Sequence, residues 1–349
     1  MKIISIIGAR PQFIKHAALS KKLDENFNHL SIHTGQHYDN EMSQLFFDEL
    51  KIRKPDFLFD SLKNQSGHGA QTANMLIDIE KVLLNEKPDY ILVYGDTNST
   101  IAGALAASKL GIKIIHVESG LRSFNREMPE EINRLLTDQL SNILFVPNTE
   151  CISNLNAEGI NQGIYNVGDI MKDTISMIQS KLEKSEKEDY FLATIHRPYN
   201  TDSRDRILSI LKILNSLDTK VIFPIHPRTN NLLSKFKINL DDFFNIKFIK
   251  PQGYKEFSSL VCFAKSVITD SGGVQKEAYF LKTPCITLRS ETEWRETLVG
   301  NWNQLIFENL EEIKTAIKVM PEKSKYDSSL YGTGKTAEQI VKTILNVHK

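Results

Sequence analysis

The sequence has few cysteines, no excess of either charge and no long apolar run, and each absence argues against a class of protein. Its three cysteines form no CxxC pair and accompany no repeated histidine spacing, which argues against a disulfide framework or structural zinc. Lys plus Arg equals Asp plus Glu at 43 each, so no overall field favours nucleic acid or an anionic membrane. No stretch reaches the roughly 18 apolar residues of a membrane helix, and the start is unlike a secretory signal. We therefore expect a cytoplasmic protein that binds no nucleic acid and no membrane.

Three common active-site fingerprints are missing as well. The chain contains no GxGxxG dinucleotide motif, no P-loop and no GxSxG nucleophile elbow, so the corresponding sites lack their local geometry. Neither His196 nor His226 has the paired His/Glu spacing of a metal site. We therefore expect neither a metal ion nor an organic cofactor.

The length and the apolar pattern predict two α/β domains. A chain of 349 residues exceeds what one hydrophobic core usually holds, and a cleft between two domains is then available. Short Ile- and Val-rich runs alternate with amphipathic stretches, as buried parallel strands alternate with helices. We place strands at 2–7, 90–94, 113–117, 142–146, 190–195, 220–224, 246–249, 266–269 and 284–288, and helices at 12–23, 69–84 and 99–110. The fold class is therefore α/β, with two doubly wound, Rossmann-like domains.

The domain boundary is expected near residues 166–170, where the strand pattern gives way to a long polar helix. This position divides the chain into an N-terminal domain over residues 1–168 and a C-terminal domain over residues 169–333. A last amphipathic helix over residues 334–349 follows a glycine-containing turn. This helix could pack on either domain, and in one of these arrangements it crosses back to the N-terminal domain.

Polar residues that directly follow apolar runs are the first candidates for a site, because ligands of open α/β sheets bind beyond the carboxyl ends of the strands. The chain has such residues at GARP from Gly8, GQH from Gly35, GDT from Gly95, ESG from Glu118, HR from His196 and DSGG from Asp270.

Two of these turns are suited to anions, and the first is GARP. Arg10 lies on the turn from strand to helix and Lys15 one helical turn later, close enough to a helix N-terminus to reach phosphate oxygens. In the alternative interpretation both are solvated surface cations.

TDSGGVQKE is the stronger anion signal. Gly272 and Gly273 let backbone N–H groups approach a diphosphate at the start of a helix, and Ser271 adds a hydroxyl donor. Glu277, one helical turn beyond Gly273, is placed to accept hydrogen bonds from ribose hydroxyls. The alternative is a glycine-rich turn in which Ser271 is a plain N-cap.

Three carboxylates and two histidines are candidates for acid/base chemistry. Asp96 and Glu118 end apolar runs, where an unpaired charge is costly, and Glu130 lies in MPEEINR. His196 and His226 each end an apolar run, and the repeated placement favours a functional role for His196. The carboxylates could instead make purely structural ion pairs with Arg122, Arg126 and Arg134.

A series of motifs occurs in order over most of the chain: GARPQFIK, TGQHYD, YGDTNST, HVESGLRS, PEEINR, HRP, PIHPR, TDSGGVQKEA and RSETEW. In this series the sequence resembles the non-hydrolysing UDP-N-acetylglucosamine 2-epimerases. The resemblance implies two Rossmann-like domains in the GT-B arrangement, a UDP site in the cleft and a homodimer. It also implies anti elimination of UDP to a 2-acetamidoglucal, which is re-protonated on its other face as UDP re-adds.

The resemblance also assigns roles, motif by motif. Asp96, Glu118 and Glu130 correspond to the acid/base carboxylates, and His196 to a further catalytic or diphosphate-contacting residue. The substrate-binding and UDP-binding residues would be Arg10, Lys15, Ser271, Gly272, Gly273 and Glu277.

The sequence departs from the family pattern at three places. Many members have HRRE where this chain has His196-Arg197-Pro198-Tyr199, which argues against activation by a second UDP-sugar held there. GARPQF and SETEW look more like the relatives that act on UDP-2,3-diacetamido-2,3-dideoxyglucuronate. That substrate carries a carboxylate, and Arg122 or Arg126 could supply a cation for it; the alternative is that these arginines pair with Glu127 or Glu130.

We therefore expect a UDP-sugar 2-epimerase that makes an activated mannosamine-type sugar for a bacterial surface polysaccharide. The diacetamido-uronate branch is the alternative substrate. A hydrolysing epimerase, a GT-B glycosyltransferase and a catalytically silent sugar-nucleotide binder are the rival activities.

Overall fold

The computed structural model describes residues 1–36, 46–60, 67–179 and 188–348. Its chain divides into two compact units. Unit 1 comprises Met1–Met177 and Ser328–Lys349, and unit 2 comprises Ile178–Asp327. Among the helices of the described ranges, none is long and apolar enough to cross a bilayer.

Unit 1 is built on a seven-stranded parallel sheet with the order β3-β2-β1-β4-β5-β6-β7. Its strands are β1 (Lys2–Ile7), β2 (Asn28–His33), β3 (Phe57–Leu58), β4 (Tyr90–Tyr94), β5 (Lys113–Val117), β6 (Ile143–Val146) and β7 (Ile164–Asn166). Its helices are α1 (Arg10–Asn26), α2 (His68–Glu86), α3 (Asn98–Lys109), α4 (Pro129–Leu140), α5 (Thr149–Ala157), α6 (Ile170–Gln179), which runs to the boundary, and, at the C-terminus, α13 (Thr336–His348). The strand order reverses between β1 and β4, where doubly wound sheets bind their ligands.

Unit 2 repeats this plan with a six-stranded parallel sheet in the order β10-β9-β8-β11-β12-β13. Its strands are β8 (Tyr190–Thr194), β9 (Lys220–Pro224), β10 (Ile246–Ile249), β11 (Ser266–Thr269), β12 (Cys285–Thr287) and β13 (Asn303–Leu305). Its helices are α7 (Pro198–Thr201), α8 (Arg204–Asn215), α9 (Pro227–Lys235), α10 (Tyr254–Phe263), α11 (Gly272–Phe280) and α12 (Ile313–Ala316). Short 3-10 turns occur at Leu240–Asp242, Arg295–Asn301, Leu310–Glu312 and Lys323–Lys325. Here the order reverses between β8 and β11.

The central strands are apolar on both faces. In β1, β4 and β5 nearly every side chain is buried, because helices cover both sides of a parallel sheet. This is the physical reason that their sequences are continuous Ile- and Val-rich runs. The predicted fold class, α/β with two Rossmann-like doubly wound domains, is confirmed.

Helices α6 and α13 both belong to unit 1. The Thr174 hydroxyl of α6 donates to the Ile14 carbonyl of α1 at 2.8 Å. The Asp173 carboxylate accepts the N–H groups of Thr336 and Ala337 at 3.1 and 2.9 Å and so caps the start of α13. Because α6 packs in this way, the division of the chain follows Met177, whereas the sequence places it at residue 168.

Candidate functional site

The turn after β1 is shaped by a glycine and a buried glutamine. A Cβ atom at Gly8 would lie 2.0 Å from the Thr34 hydroxyl and 2.3 Å from that of Ser99, so no larger residue fits. The Gln12 side chain accepts the Gly8 N–H at 2.8 Å and donates to the Tyr94 carbonyl at 3.1 Å. Gln12 therefore ties the turn that carries Arg10 to the end of β4. Gln12 lies within the GARPQF motif, but no role was predicted for it from the sequence.

The two predicted phosphate cations of unit 1 have different surroundings. The half-buried Arg10 places its guanidinium 4.9 Å from the centre of the Phe46 ring. Lys15 is buried and forms an ion pair with the Glu118 carboxylate. A Cβ atom at Gly95 would lie 3.0 Å from the Lys15 ammonium and 3.1 Å from Glu118 Oε2, so the pair lies directly against this glycine. A predicted cation and a predicted acid are thus in contact.

Glu118 has an unusual backbone conformation. Its φ of 71° lies in the left-handed region, which non-glycine residues rarely adopt. Its N–H and that of Ser119 both donate to the Phe145 carbonyl of β6 at 3.0 Å. Strained residues of this kind cluster at functional sites, where the surrounding structure holds them in place.

Asp96 is held by an arginine of α4. Arg134 Nε and Nη2 lie 2.9 and 2.6 Å from Asp96 Oδ2, and Arg134 Nη1 lies 2.8 Å from Glu131 Oε2. The Asp96 side chain remains 30% exposed, whereas those of Arg134 and Glu131 are 6% and 2% exposed. Asp96 therefore presents a charged edge to solvent on a buried support.

Glu130 and Glu131 are neighbours with different environments. Glu131 accepts the N–H groups of Ser123 and Phe124 at 2.9 and 3.0 Å. Burial raises the pKa of Glu131, but these N–H donors and the Arg134 guanidinium outweigh it and hold the pKa below its usual value. Glu131 thus supports the loop before α4, and Glu130 lies half-buried in the first turn of the same helix. Glu131 lies in the same MPEEINR motif, but no role was predicted for it from the sequence.

Of the two arginines that could supply a cation to the sugar, Arg122 is instead engaged in structural ion pairs. Its side chain is fully buried, and its guanidinium contacts Glu158 at 2.7 and 2.6 Å and Asp138 at 2.8 Å. These two carboxylates enclose the guanidinium, and they are not the partners, Glu127 and Glu130, that the sequence suggested.

Arg126, on the same loop as Arg122, is exposed. Of Arg122 and Arg126, Arg126 is therefore the one that is accessible to a ligand.

A buried aspartate organises the strand ends of unit 2. Asp270 accepts the N–H of His196 at 3.1 Å, the N–H of Arg197 at 2.9 Å and the Asn200 amide at 3.2 Å. His196 Nδ1 lies 3.4 Å from Asp270 Oδ1, and its imidazole, 34% exposed, lies with its centroid 5.7 Å from that of His226. Asp270 joins the ends of β8 and β11. The DSGG turn was a candidate strand end in the sequence, but no role was predicted for Asp270 itself.

The glycine turn starts helix α11, and its two glycines have different reasons to lack a side chain. A Cβ atom at Gly272 would lie 2.6 Å from Glu293 Oε1. At Gly273, no atom of the described residues comes within 4 Å of such a Cβ, so this position faces open space. Ser271 is the N-cap residue, and its own N–H donates to the Thr269 hydroxyl at 3.0 Å.

A buried ion pair lies beside this turn. Arg289 Nη1 is 3.0 Å from Glu293 Oε2, and their side chains are 4% and 8% exposed. Glu277 is buried further along α11, and its neighbour Lys276 places its ammonium 4.0 Å from the Trp294 ring centre. Arg289 and Glu293 belong to the RSETEW motif, but the sequence alone assigned them no role.

Tyr199, which departs from the family pattern, packs its ring edge against Phe307 with centroids 5.7 Å apart. Burial raises the pKa of Tyr199 to about 12, so the phenol is neutral at physiological pH.

The structure brings the predicted residues together within each unit. In unit 1, Arg10, Lys15, Asp96 and Glu118 follow β1, β4 and β5, which are adjacent in the sheet. In unit 2, His196 and the Ser271-Gly272-Gly273 turn follow the adjacent strands β8 and β11. His37 lies outside the described residues, but its neighbour Gln36 accepts the Ser99 N–H at 2.9 Å at the start of α3.

This arrangement agrees with a family whose sequence model matches residues 21–345, described as UDP-N-acetylglucosamine 2-epimerase. The chain belongs to the UDP-N-acetylglucosamine 2-epimerase family. The resemblance carried by the motifs and the expected isomerase class are thereby confirmed.

Similar proteins match over their whole length. The UDP-N-acetylglucosamine 2-epimerase homolog of Methanococcus maripaludis is 50% identical over 99% of this chain and 100% of its own. The UDP-2,3-diacetamido-2,3-dideoxy-D-glucuronate 2-epimerase of Pseudomonas aeruginosa is 44% identical over 97% and 98%. The crystal structure of the Methanocaldococcus jannaschii UDP-GlcNAc 2-epimerase in complex with UDP-GlcNAc and UDP is 43% identical, with a TM-score of 0.92 over 99% of this chain and 100% of that one.

Proposed function

We propose that this chain is a non-hydrolysing 2-epimerase that inverts carbon 2 of a UDP-linked 2-acetamido sugar, of the UDP-GlcNAc to UDP-ManNAc type. One observation carries the proposal. Asp96 and Glu118 follow the paired strands β4 and β5, and each is held by a buried cation, Arg134 and Lys15. Inversion at carbon requires that a proton leave one face and return to the other, and two fixed carboxyl groups are suited to these steps.

The chemistry proceeds through elimination and re-addition. A carboxylate removes the proton from carbon 2 while the bond between carbon 1 and the UDP oxygen breaks and a double bond forms between the two carbons. A carboxyl group then returns a proton to the opposite face of carbon 2 as the UDP oxygen re-forms its bond to carbon 1. We assign these transfers to the set of Asp96, Glu118 and Glu130, and we assign Arg10 and Lys15 to phosphate oxygens.

Unit 2 supplies the nucleotide-binding residues in this proposal. The Ser271-Gly272-Gly273 turn opens helix α11, whose first N–H groups and macrodipole favour a diphosphate. The open space at Gly273 supports a close backbone approach. Glu277 accepts hydrogen bonds from the ribose hydroxyls. His196, which contacts the buried Asp270, binds the diphosphate or takes part in proton transfer.

The same chemistry on UDP-2,3-diacetamido-2,3-dideoxyglucuronate is the second candidate. The relative at 44% identity favours it, as do the GARPQF and SETEW motifs. Because Arg122 is enclosed by two carboxylates, the remaining cation of this loop for a sugar carboxylate is the exposed Arg126. Arg126→Ala would then lower uronate turnover and leave UDP-GlcNAc turnover unchanged; equal turnover of the uronate by both proteins would exclude this role.

We further propose that the enzyme acts as a homodimer in the cytoplasm and provides an activated mannosamine-type sugar for a surface polysaccharide. The free thiols of all three cysteines suit a reducing compartment. Light scattering of the purified chain measures the oligomeric state, and a monomeric mass would contradict the dimer.

Proton NMR in deuterated water tests the activity and the substrate together. The purified protein is incubated with UDP-GlcNAc and, separately, with the diacetamido-uronate, without metal or acceptor. Growth of a manno-configured UDP-sugar with deuterium at carbon 2 is expected for the true substrate. Release of free sugar and UDP would indicate the hydrolysing reaction, and no reaction with either sugar would favour a glycosyltransferase or a silent binder.

A further inference from the structure

A buried His–Asp pair lies beneath the strand ends that carry Asp96 and Glu118. His116 is the fourth residue of β5 and Asp138 lies on α4, and both side chains are completely buried. His116 Nδ1 is 2.7 Å from Asp138 Oδ1, and His116 Nε2 is 2.8 Å from the Gly95 carbonyl oxygen. Neither residue has a role in the chemistry assigned above.

The partners of His116 determine how many protons its ring carries. A backbone carbonyl accepts hydrogen bonds and cannot donate. Asp138 also receives the Gly120 N–H at 3.1 Å and the Arg122 guanidinium at 2.8 Å. Burial raises the pKa of Asp138, but its hydrogen-bonding and charged partners outweigh it and hold the pKa below its usual value. Because the buried Arg122 cation lies 2.8 Å away and the Gly120 N–H also donates to it, the carboxylate is ionised independently of the charge on His116. Both ring nitrogens of His116 therefore face acceptors, and both must donate.

The pair connects two turns of unusual conformation. Gly95 has a φ of 59°; its N–H donates to the Val117 carbonyl at 3.0 Å, and its carbonyl accepts from His116, so β5 holds both its backbone groups. Gly120, with a φ of 79°, donates its N–H to Asp138. Asp96 directly follows the first turn, and Glu118, itself at a φ of 71°, begins the second.

We propose that His116, held as an imidazolium by Asp138, is a positioning residue that fixes the Asp96 and Glu118 turns relative to each other; this role rests on the proposed epimerase function. The pair touches the turns through backbone atoms and is enclosed, so it does not contact the substrate. Its loss displaces both carboxyl groups, and a displacement of about 1 Å costs roughly 100-fold in rate. The effect falls mainly on kcat, because the Ser271-Gly272-Gly273 turn and Glu277, which are assigned to the nucleotide, lie in unit 2.

The same unit contains a matched control. His29 Nδ1 is 2.6 Å from Asp24 Oδ1, so it forms a second His–Asp pair, but it lies at the amino end of β2. Its Nε2 is 2.9 Å from the Ser5 hydroxyl, which can donate as well as accept. Burial lowers the pKa of His29. His29 is therefore a neutral ring, away from the carboxyl ends of the strands.

The experiment combines NMR of the histidine rings with kinetics. Protein with ¹⁵N-labelled histidine is recorded at about pH 7, and the two rings are assigned with His116→Gln and His29→Gln. We expect imidazolium nitrogen shifts for His116 and neutral-ring shifts for His29. We expect His116→Gln to lower kcat by roughly 100-fold with KM within about threefold, and His29→Gln to leave both unchanged.

Asp138→Asn separates the hydrogen bonds from the charge. Its amide oxygen still accepts from Gly120 and Arg122, and its NH₂ group donates to His116 Nδ1, which leaves a neutral ring that keeps its bond to the Gly95 carbonyl. The ring should then give neutral shifts, and kcat should fall less than in His116→Gln. This variant also serves if His116→Gln does not fold.

A neutral His116 ring in the wild-type protein would overturn the proposal. So would a folded His116→Gln variant with wild-type kcat, or one in which only KM rises. If the wild-type protein turned over no UDP-sugar while His116 gave imidazolium shifts, the proposed function would fail and the charged pair would stand without its catalytic role.

Discussion

At the scale of the residue, Asp96 offers the most direct test of the chemistry. Asp96→Asn keeps the size of the side chain and an oxygen that accepts from Arg134, whose second partner Glu131 is unchanged. We expect kcat to fall by at least ~100-fold, the usual contribution of a positioned acid or base. The dissociation constant of UDP should not change, because the contacts that the structure describes for Asp96 are to Asn133 and Arg134, and neither is assigned to the nucleotide.

Steady-state kinetics and calorimetry with UDP measure these two quantities. Asp78→Asn, which alters a half-buried aspartate paired with Lys81 on α2, is the control and should behave as wild type. Wild-type turnover in Asp96→Asn would remove Asp96 from the mechanism.

Alanine substitutions at Gly272 and Gly273 distinguish a glycine required for packing from a glycine required for ligand binding. Gly272→Ala brings a methyl group to 2.6 Å from Glu293 Oε1, so the buried carboxylate must move, and we expect the free energy of unfolding to fall by about 1–3 kcal/mol. Gly273→Ala meets open space and should keep or raise stability, because alanine favours a helix by up to about 1 kcal/mol.

UDP binding should nevertheless weaken in Gly273→Ala, since the methyl group occupies the side from which a diphosphate approaches. Urea unfolding and calorimetry distinguish the two variants. Equal UDP affinity in Gly273→Ala and wild type would show that the diphosphate does not approach this face.

The sequence predicts which residues lie at the ends of the strands, but it does not predict which side chains they contact. Arg10, Asp96 and Glu118 were identifiable because each follows an apolar run, and Lys15 because it lies one helical turn after Arg10. The Lys15–Glu118 and Arg122–Asp138 pairs were not, because their partners lie far apart in the chain and many arrangements satisfy a buried charge.

At the scale of the element, Glu131 links the loop before α4 to the helix itself. Its pKa is lowered in the folded state from an ordinary value of 4.5, so in the window below that value the unfolded state binds more protons. The stabilisation by this carboxylate is therefore complete above about pH 5 and is lost as the pH falls through the folded pKa.

We expect Glu131→Gln to be less stable than wild type at neutral pH and the difference to shrink on acidification. Urea unfolding at about pH 7 and about pH 4 measures it. Glu127→Gln, at an exposed position of the same loop, is the control and should show no such dependence. A difference in stability that stays constant with pH would contradict the assignment.

The helices and strands differ in how clearly they can be predicted from the sequence. The central strands were predicted because burial on both faces requires continuous apolar residues. The six residues of β2 were not, because its buried polar residues are satisfied by partners such as Ser5 for His29 and Asp56 for the Ser31 N–H. The short strands β3, β7 and β13 have two or three residues each, too few for a periodic pattern.

At the scale of the whole molecule, the two units carry different sets of polar residues at their own switch points. Unit 1 places carboxylates and their cations after β1, β4 and β5, whereas unit 2 places a glycine turn and a histidine after β8 and β11. The same fold therefore carries two different sets of functional residues, because these residues lie at the ends of the strands and not within the sheets. This division predicts how the two units respond to ligands.

Hydrogen exchange of the whole chain tests that division. UDP alone should slow exchange at 196–200 and 270–277 in unit 2, because a bound ligand stabilises the segments that contact it. The segments 95–100 and 118–123 of unit 1 should slow strongly only with the intact UDP-sugar, which also offers a ring to the carboxylates. Equal protection of segments 95–100 and 118–123 by UDP and by the UDP-sugar would mean that the acid/base residues do not respond to the sugar, and the assignment of Asp96 and Glu118 would then have to be abandoned.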